Sequence, residues 1–169
     1  CRGGIHTSET IKFALMKEII PPVKRELIEA ELTEDKYVRH TNNGYKVIYI
    51  VTHHDSPNTM QELGRLREIS FREGGGGTGK AVDIDEYDTA ETPFKQLIVW
   101  SPDDREIVGG YRYIEGYNIG VDENGFLNSP TGRLFSFSDP FINNYLPRTI
   151  ELGRSFVQPA FQPSFNVRK

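Results

Sequence analysis

Two apolar segments separated by a turn constrain the fold of this chain more than any other feature. Gln96 to Trp100 and Ile107 to Ile114 are rich in β-branched and aromatic residues, and Ser101-Pro102-Asp103-Asp104 between them is typical of a turn. We therefore predict an antiparallel hairpin. Two further strands, Tyr45 to Val51 and Thr149 to Val157, are predicted from the same composition.

Helical periodicity and capping signals surround these strands. Ser56 and Pro57 are typical residues for the start of a helix, which we predict to end near Arg72. Shorter helices are predicted over Thr7 to Ile20, over Val23 to Leu32, and from Phe137-Ser138-Asp139-Pro140 to about Leu146. The predicted fold class is α+β, an α/β sandwich in which helices flank a mostly antiparallel sheet. We expect residues 1–40 to form a helical segment that precedes the main domain.

The bulk composition narrows the classes of function. The chain has 169 residues, of which 37% are hydrophobic and 26% charged, as in an ordinary globular domain. A net charge of −4 and scattered basic residues provide no positive field for nucleic acid. Cys1 is the single cysteine, so an internal disulfide is impossible, and no apolar run approaches the roughly 20 residues of a membrane span. We expect a cytoplasmic location.

The glycine-rich segment from Gly74 to Lys80 fits the pattern G-x-x-x-x-G-K of a phosphate-binding loop. The next residue is Ala81, where such a loop needs Ser or Thr to hold magnesium. The segment also follows a helix and precedes an acidic stretch, whereas a phosphate loop follows a strand and precedes a helix. We interpret it as a flexible loop, either over a site or as a plain linker.

His53-His54-Asp55 contains two candidate metal ligands. Neighbouring side chains of a strand point to opposite faces, so the two imidazoles cannot easily share one ion. We predict no metal site.

One face of the Ser56 helix combines apolar residues with a charge. Met60, Leu63 and Phe71 fall in one narrow sector of a helical wheel, and Arg67 falls in the same sector. A buried charge is costly unless it is paired, so Arg67 either meets a carboxylate inside or extends its stem to solvent. The acidic stretch 83–88 is a candidate source of that carboxylate.

The last predicted strand has two charges three residues apart. Strict alternation places Glu151 on one face and Arg154 on the other. A bulge at Leu152-Gly153 would bring them to the same side and would leave backbone N–H groups free to bind the oxyanion of a thioester carbonyl. Arg112 is a third charge, in the otherwise apolar strand that ends at Ile114.

A longer pattern connects these segments: an Arg and a Phe four apart on a helix, a variable loop, D-x-x-D, a hairpin that ends in G-x-x-R, and E-x-x-R on a strand. In this sequence it falls on Arg67, Phe71, Asp85, Asp88, Arg112, Glu151 and Arg154. The order resembles the acyl-homoserine lactone synthases. The segment 150–155 looks closer still to the ornithine-lipid and glycine-lipid N-acyltransferases, GNAT-fold enzymes that are often labelled hemolysins.

The resemblance implies the N-terminal part of a GNAT-like domain over residues 41–169. The implied reaction transfers a fatty acyl group, 3-hydroxy chains included, from a thioester to the amine of an amino acid, as in aminolipid synthesis. Glu151 is the implied base, and Arg154 orients it or holds the carboxylate of the acceptor. The implied substrate-binding residues are Arg67, Phe71, Asp85, Asp88 and Arg112. Acyl carrier protein or acyl-CoA supplies the acyl group, with no bound cofactor.

Two departures from the family pattern matter. The lactone synthases have a Trp in the loop, whereas this loop contains only Gly, Thr and Lys, which favours the lipid enzymes. GNAT enzymes continue from the last strand to a Gly-rich loop and helix that hold the pantetheine pyrophosphate. None follows before Lys169, so we expect a domain that is incomplete at its C-terminus.

Three alternatives remain open. The first is a lactone synthase or another small-molecule acyltransferase. The second is a non-catalytic, membrane-active hemolysin, although the chain has neither the amphipathic stretch nor the basic patch that such a protein needs. Peripheral contact of an enzyme with the inner membrane is a separate point that stays open. In the third, the charged residues form only a structural ion network that supports the sheet.

Overall fold

The computed structural model describes residues 16–42 and 44–162. In chain order the helices and strands are α1 (Arg25–Glu31), β1 (Tyr37–His40), β2 (Val47–Val51), α2 (Pro57–Glu73), α3 (Glu86–Thr89), β3 (Lys95–Ser101), β4 (Glu106–Glu115), α4 (Asp139–Asn144) and β5 (Ile150–Val157). Short 3-10 turns occupy Glu34–Lys36, Gly116–Asn118, Leu146–Arg148 and Pro159–Phe161. None of the helices in these ranges is both long enough and apolar enough to cross a membrane.

The strands form one sheet in sequence order, β1-β2-β3-β4-β5, and every neighbouring pair is antiparallel. β3 and β4 form the predicted hairpin, in which Gln96 lies opposite Arg112. The predicted α+β class, with helices against an antiparallel sheet, is confirmed. The strand order places the predicted charges of β4 and β5 side by side.

The apolar stripe of α2 builds the main core. Met60, Leu63 and Leu66 are each at most 4% exposed and pack on the inner face of the sheet. The sheet residues of this core are Val51, Ile98, Trp100, Ile107 and Phe156. Each fully buried apolar side chain contributes roughly 1.5–3 kcal/mol, so this stripe fixes α2 across the sheet.

The start of α2 is capped by a residue distant in sequence. Pro57 occupies the first helical position as predicted, but the side chain of Ser56 makes no capping hydrogen bond. Instead, the Glu31 carboxylate accepts hydrogen bonds from the backbone N–H groups of Asn58 at 3.0 Å and Thr59 at 2.7 Å. Burial disfavours the ionised form, yet these bonds hold the pKa of Glu31 below its usual value. They also fasten α1 to α2.

A second apolar cluster fixes residues 116–149, which connect β4 to β5, against one end of the sheet. Its buried members are Tyr87, Phe94, Ile114, Ile119, Leu127 and Leu146. Gly116 allows the chain to close at this point, because a Cβ atom here would lie 1.9 Å from the carbonyl oxygen of Leu146. The connection therefore forms a wall beside β5.

The N-terminal region differs from the prediction. The helix predicted from Thr7 to Ile20 lies mostly outside the described residues, and its described part, 16–20, is not helical. β1 lies within the segment 1–40 that we predicted to be helical, so that prediction is wrong for this strand. The helices predicted at α1 and α4 are present with shorter bounds.

A buried carboxylate anchors the glycine-rich loop that follows α2. Glu68 is fully buried and accepts hydrogen bonds from Thr78 N at 3.0 Å, Thr78 Oγ1 at 2.6 Å and Gly79 N at 2.8 Å. Burial opposes ionisation, but the bonds from Thr78 and Arg72 hold the pKa of Glu68 below its usual value. Two of the N–H groups that a phosphate loop would offer to a nucleotide, those of Thr78 and Gly79, are thus bonded to Glu68.

We expect Glu68→Ala to release this loop. Hydrogen bonds to a charged group contribute about 1.5–3 kcal/mol each, so the amide hydrogens of Thr78 and Gly79 should exchange at least about tenfold faster. Hydrogen exchange followed by NMR measures this change. Glu73→Ala, at the exposed end of the same helix, is the matched control and should leave both rates unchanged. Equal exchange rates in Glu68→Ala and the wild type would contradict the anchoring role.

Candidate active site

Three arginines and three aspartates form a closed ring of alternating charges between α2 and the sheet. The arginines come from α2, β4 and β5, and the aspartates from the segment after the glycine-rich loop: Arg67, Arg112, Arg154, Asp83, Asp85 and Asp88. Each arginine lies within ion-pair distance of two aspartates, and each aspartate of two arginines. The six formal charges balance, which reduces the cost of burying them.

Arg67 lies at the bottom of the ring and is only 1% exposed. Its Nη2 donates to Asp88 Oδ2 at 2.9 Å, its Nε to Asp83 Oδ2 at 3.3 Å, and its Nη1 to Gln96 Oε1 at 3.3 Å. Of the two alternatives for this residue, the structure shows interior pairing. The carboxylates come from the acidic stretch, as the sequence suggested.

The spacing of Asp85 and Asp88 has a local cause. Asp85 caps α3, and its side chain accepts from the backbone N–H groups of Tyr87 at 3.0 Å and Asp88 at 3.3 Å. Asp88 Oδ2 accepts in return from the backbone N–H of Asp85 at 3.1 Å. This capping box holds the two carboxylates side by side and aims them at the arginines.

Arg112 extends from β4 into the ring and is 3% exposed. Its Nη1 lies 2.7 Å from Asp85 Oδ1 and 3.2 Å from Asp88 Oδ1. The guanidinium also lies over the ring of Phe94, 5.0 Å from its centroid. Burial alone would lower the pKa of Arg112, but the two carboxylates raise it above its usual value, so the side chain keeps its charge.

The aspartates of the ring have different environments. Burial raises the pKa of Asp83, and the charges of Arg67 and Arg154 only partly offset this effect. Burial also acts on Asp85, but the hydrogen bond and the charge of Arg112 outweigh it and hold the pKa of Asp85 below its usual value. The environment therefore favours the ionised form at Asp85 and disfavours it at Asp83.

β5 contains the bulge that the charge pattern predicted, but at a later position. Gly153 pairs with Arg112 and Phe156 pairs with Gly110, so Arg154 and Ser155 together face one residue of β4. Arg154 adopts the left-handed conformation, with φ of +54°. The prediction of a bulge at Leu152-Gly153 is thus wrong by two residues. Glu151 and Arg154 nevertheless line the same cavity.

Glu151 is held by a residue that sequence reasoning missed. Its Oε1 accepts from the backbone N–H of Thr131 at 3.0 Å and from Thr131 Oγ1 at 2.7 Å. Among the described residues, none hydrogen-bonds to Oε2. One oxygen of the carboxylate is therefore fixed while the other stays available for a ligand.

A cavity of about 480 Å³ opens between β5 and the wall formed by the connection 116–149. Four of the seven predicted site residues line it: Asp85, Arg112, Glu151 and Arg154. Arg67 and Asp88 lie beneath it in the ring, and Phe71 contacts the Arg154 guanidinium from α2, 6.0 Å from the ring centroid. The catalytic and substrate-binding roles of all seven remain predictions.

Three polar atoms of the cavity wall are buried without a hydrogen-bond partner among the described residues: Tyr87 Oη, Arg112 Nε and Arg154 Nε. Asp83 Oδ2 lies 3.2 Å from Arg154 Nε but not along its N–H bond. Buried donors without partners are uncommon in folded proteins, so these atoms indicate a place for ligand atoms. No sequence pattern had indicated Tyr87.

His53 and His54 lie outside the lining of this cavity. Their ring centroids are 5.9 Å apart, and His54 Nε2 lies 2.8 Å from the carbonyl oxygen of Ala90. In residues 16–42 and 44–162, no three His, Cys, Asp or Glu side chains are grouped as they would be around a metal ion.

An antiparallel sheet flanked by helices is the architecture that the resemblance to GNAT enzymes predicted. Residues 66–168 match the family model described as the acetyltransferase (GNAT) domain. The chain belongs to this family, and the predicted GNAT class is confirmed.

Two relatives are both called glycine Nα-acyltransferase. The protein of Bacteroides thetaiotaomicron is 58% identical over 147 residues, which cover 87% of this chain and 44% of the relative. The protein of Phocaeicola vulgatus is 55% identical over 147 residues, which cover 87% of this chain and 45% of the relative. The chain thus spans less than half the length of these relatives. No solved structure gives a significant match to it.

Proposed function

We propose that this protein is an N-acyltransferase that moves an acyl group from a thioester to the amine of an amino acid. The observation that supports it most is the position of Glu151, whose carboxylate lies in a cavity beside the bulge of the same strand. The relatives' name, glycine Nα-acyltransferase, makes glycine the first acceptor to test.

In the proposed reaction the amine attacks the carbonyl carbon of the thioester, a C–N bond forms and the C–S bond breaks. Glu151 accepts a proton from the amine, directly or through a water molecule. A backbone N–H group that the bulge leaves without a strand partner donates to the carbonyl oxygen as it becomes negative. The thiolate leaves and takes up a proton, so the products are an amide and a free thiol.

The charged ring gives the acceptor side its shape. Arg154 either orients Glu151 or holds the carboxylate of the acceptor by charge-assisted hydrogen bonds. Asp85 and Arg112 form the cavity wall. Arg67 and Asp88 act as positioning residues, because they hold the wall residues from beneath without lining the cavity themselves.

We propose a fatty acyl chain as the group that is transferred. A second cleft, of about 360 Å³, shares Thr131, Glu151 and Leu152 with the polar cavity. Its other lining residues are mostly apolar: Ile119, Leu127, Phe137, Phe141, Leu146, Thr149 and Ile150. A hydrocarbon chain gains about 0.8 kcal/mol per buried CH₂ group on such a surface. The cleft supports an acyl-carrier or CoA thioester as donor and a role in aminolipid synthesis.

The rim of the polar cavity supports peripheral contact with a membrane. Leu134 and Phe135 line the cavity and are 76% and 62% exposed. Exposed apolar side chains beside a site for a fatty chain fit an enzyme that works at the cytoplasmic surface of the inner membrane.

We expect acyl transfer when the full-length protein is incubated with acyl-carrier and CoA thioesters and a panel of amino acids. Free thiol should appear together with an equal amount of N-acyl amino acid, and mass spectrometry identifies the acceptor. Thiol release without any amino acid, or none with any, would count against the enzyme. Acyl transfer followed by lactone formation would favour the lactone synthases. Liposome leakage without acyl transfer would favour a hemolysin.

A further inference from the structure

The edge of Arg112 that faces β5 has no partner within the described residues. Its Nη1 is occupied by Asp85 and Asp88, whereas its Nε is buried and makes no hydrogen bond. An unsatisfied N–H group of a charged side chain is costly, and the capping box keeps the aspartates on the other edge of the guanidinium. A ligand atom in the cavity would remove this cost.

Gly153 lies directly over this edge of Arg112. A Cβ atom at position 153 would lie 3.7 Å from Arg112 Nε and 3.9 Å from its Cγ, and both residues line the cavity. The backbone at Gly153 is not left-handed, so the conformation itself does not require glycine. The absence of a side chain has another effect: no Cβ atom packs against the buried Arg112 Nε on this side.

The chemistry of the two donors without a hydrogen-bond partner favours a carboxylate. Arg112 Nε and Arg154 Nε both belong to cations and both lack a hydrogen-bond partner in the described part of the chain. Carboxylate oxygens are the acceptors that guanidinium N–H groups bind most strongly. A zwitterionic amino acid adds no net charge to the site, because its amine faces the Glu151 carboxylate.

We propose that Arg112 Nε, against which Gly153 places no side chain, binds the α-carboxylate of the acceptor amino acid, with Arg154 Nε as the second donor. Glu151 and Gly153 are two residues apart on β5, a distance of about 7 Å along a strand. Arg112 and Glu151 line the same cavity, so the proposed pose places the carboxylate of the amino acid at Arg112 and its amine at Glu151. This assignment rests on the proposed function and adds the group by which the acceptor is recognised.

Gly153→Ala, assayed with glycine and with glycinamide, tests the assignment in the full-length protein. The methyl group would cover Arg112 Nε at an ordinary contact distance, so the fold should remain intact. The KM for glycine should rise about tenfold or more, since a hydrogen bond to a charged group is lost, with little change in kcat. The KM for glycinamide, which has no carboxylate, should not change. Gly76→Ala, another glycine with room for a methyl group, should alter neither KM.

A titration of each amine, followed by NMR without acyl donor, separates the two ways of failing. If the wild type transfers no acyl group but Gly153→Ala still weakens glycine binding about tenfold, the proposed function fails and the carboxylate site stands. If glycine and glycinamide bind and react equally in the wild type, or if Gly153→Ala weakens both alike, the carboxylate site is overturned.

Discussion

Glu151→Gln is expected to reduce kcat roughly 10²- to 10⁴-fold, the range for loss of a general base. The amine of an amino acid must lose a proton before the C–N bond is complete, and the amide of Gln cannot accept one. The fold should remain intact, because Gln keeps the oxygen that accepts from the backbone N–H and the hydroxyl of Thr131. Thiol release from the acyl donor, measured under saturating acceptor, gives the effect on kcat directly.

Two comparisons make this result specific. Glu123→Gln changes an exposed glutamate in the connection 116–149 and should leave kcat unchanged. The residual activity of Glu151→Gln should rise with pH, because a larger fraction of the acceptor is then already deprotonated. Turnover that is retained at neutral pH would remove Glu151 from the role of base.

The fold could be predicted wherever the chain shows a clear local signal. β-branched and aromatic residues around a turn indicated the hairpin of β3 and β4, and start signals with helical apolar spacing indicated α2. Both are present with nearly the expected bounds. β1 could not be found in this way. Its four residues are all exposed, so no alternation of buried and exposed side chains marks it, and only its pairing with β2 makes it a strand.

The bulge shows what local reasoning can and cannot decide. Side chains alternate between the two faces of a strand, so Glu151 and Arg154, three residues apart, would point to opposite faces of a straight strand. Their cooperation therefore required an irregularity between them. The conformational freedom of glycine favoured position 153, yet Arg154 takes the left-handed conformation. The ion pairs of Arg154 with Asp83 and Asp85 connect it to residues about 70 positions earlier, and no local preference contains them.

Contacts distant in sequence also explain the residues that were missed. Thr131 reaches Glu151 because the apolar cluster fixes the connection 116–149 beside β5. Tyr87 enters the cavity wall because the capping box of α3 orients the turn in which it lies. Both positions depend on packing between segments that a search for local motifs treats separately.

Arg67→Met is expected to lower the free energy of unfolding by about 3–5 kcal/mol, the range for removing one partner from a buried ion pair. Met fills much of the space of the arginine stem, so the loss is mainly electrostatic: Asp83 and Asp88 would remain buried without the guanidinium. The total stability of a domain is only about 5–15 kcal/mol, so the variant should unfold at much lower urea concentrations. Circular dichroism during urea titration measures the shift.

The pH dependence of this loss distinguishes a buried ion pair from simple loss of packing. Burial raises the pKa of Asp83 despite Arg67. A carboxyl group whose pKa is raised on folding favours the folded state below its unfolded pKa, and this contribution disappears as the pH rises through the folded pKa. Without Arg67 the pKa of Asp83 rises further. The loss in free energy of unfolding that Arg67→Met causes, relative to the wild type, should therefore be larger at pH 7 than near pH 4. Arg105→Gln removes exposed ion pairs to Glu26 and Glu29 and should have little effect at either pH. An equal loss in free energy of unfolding at both pH values would mean that Arg67 stabilises the core through the packing of its stem alone.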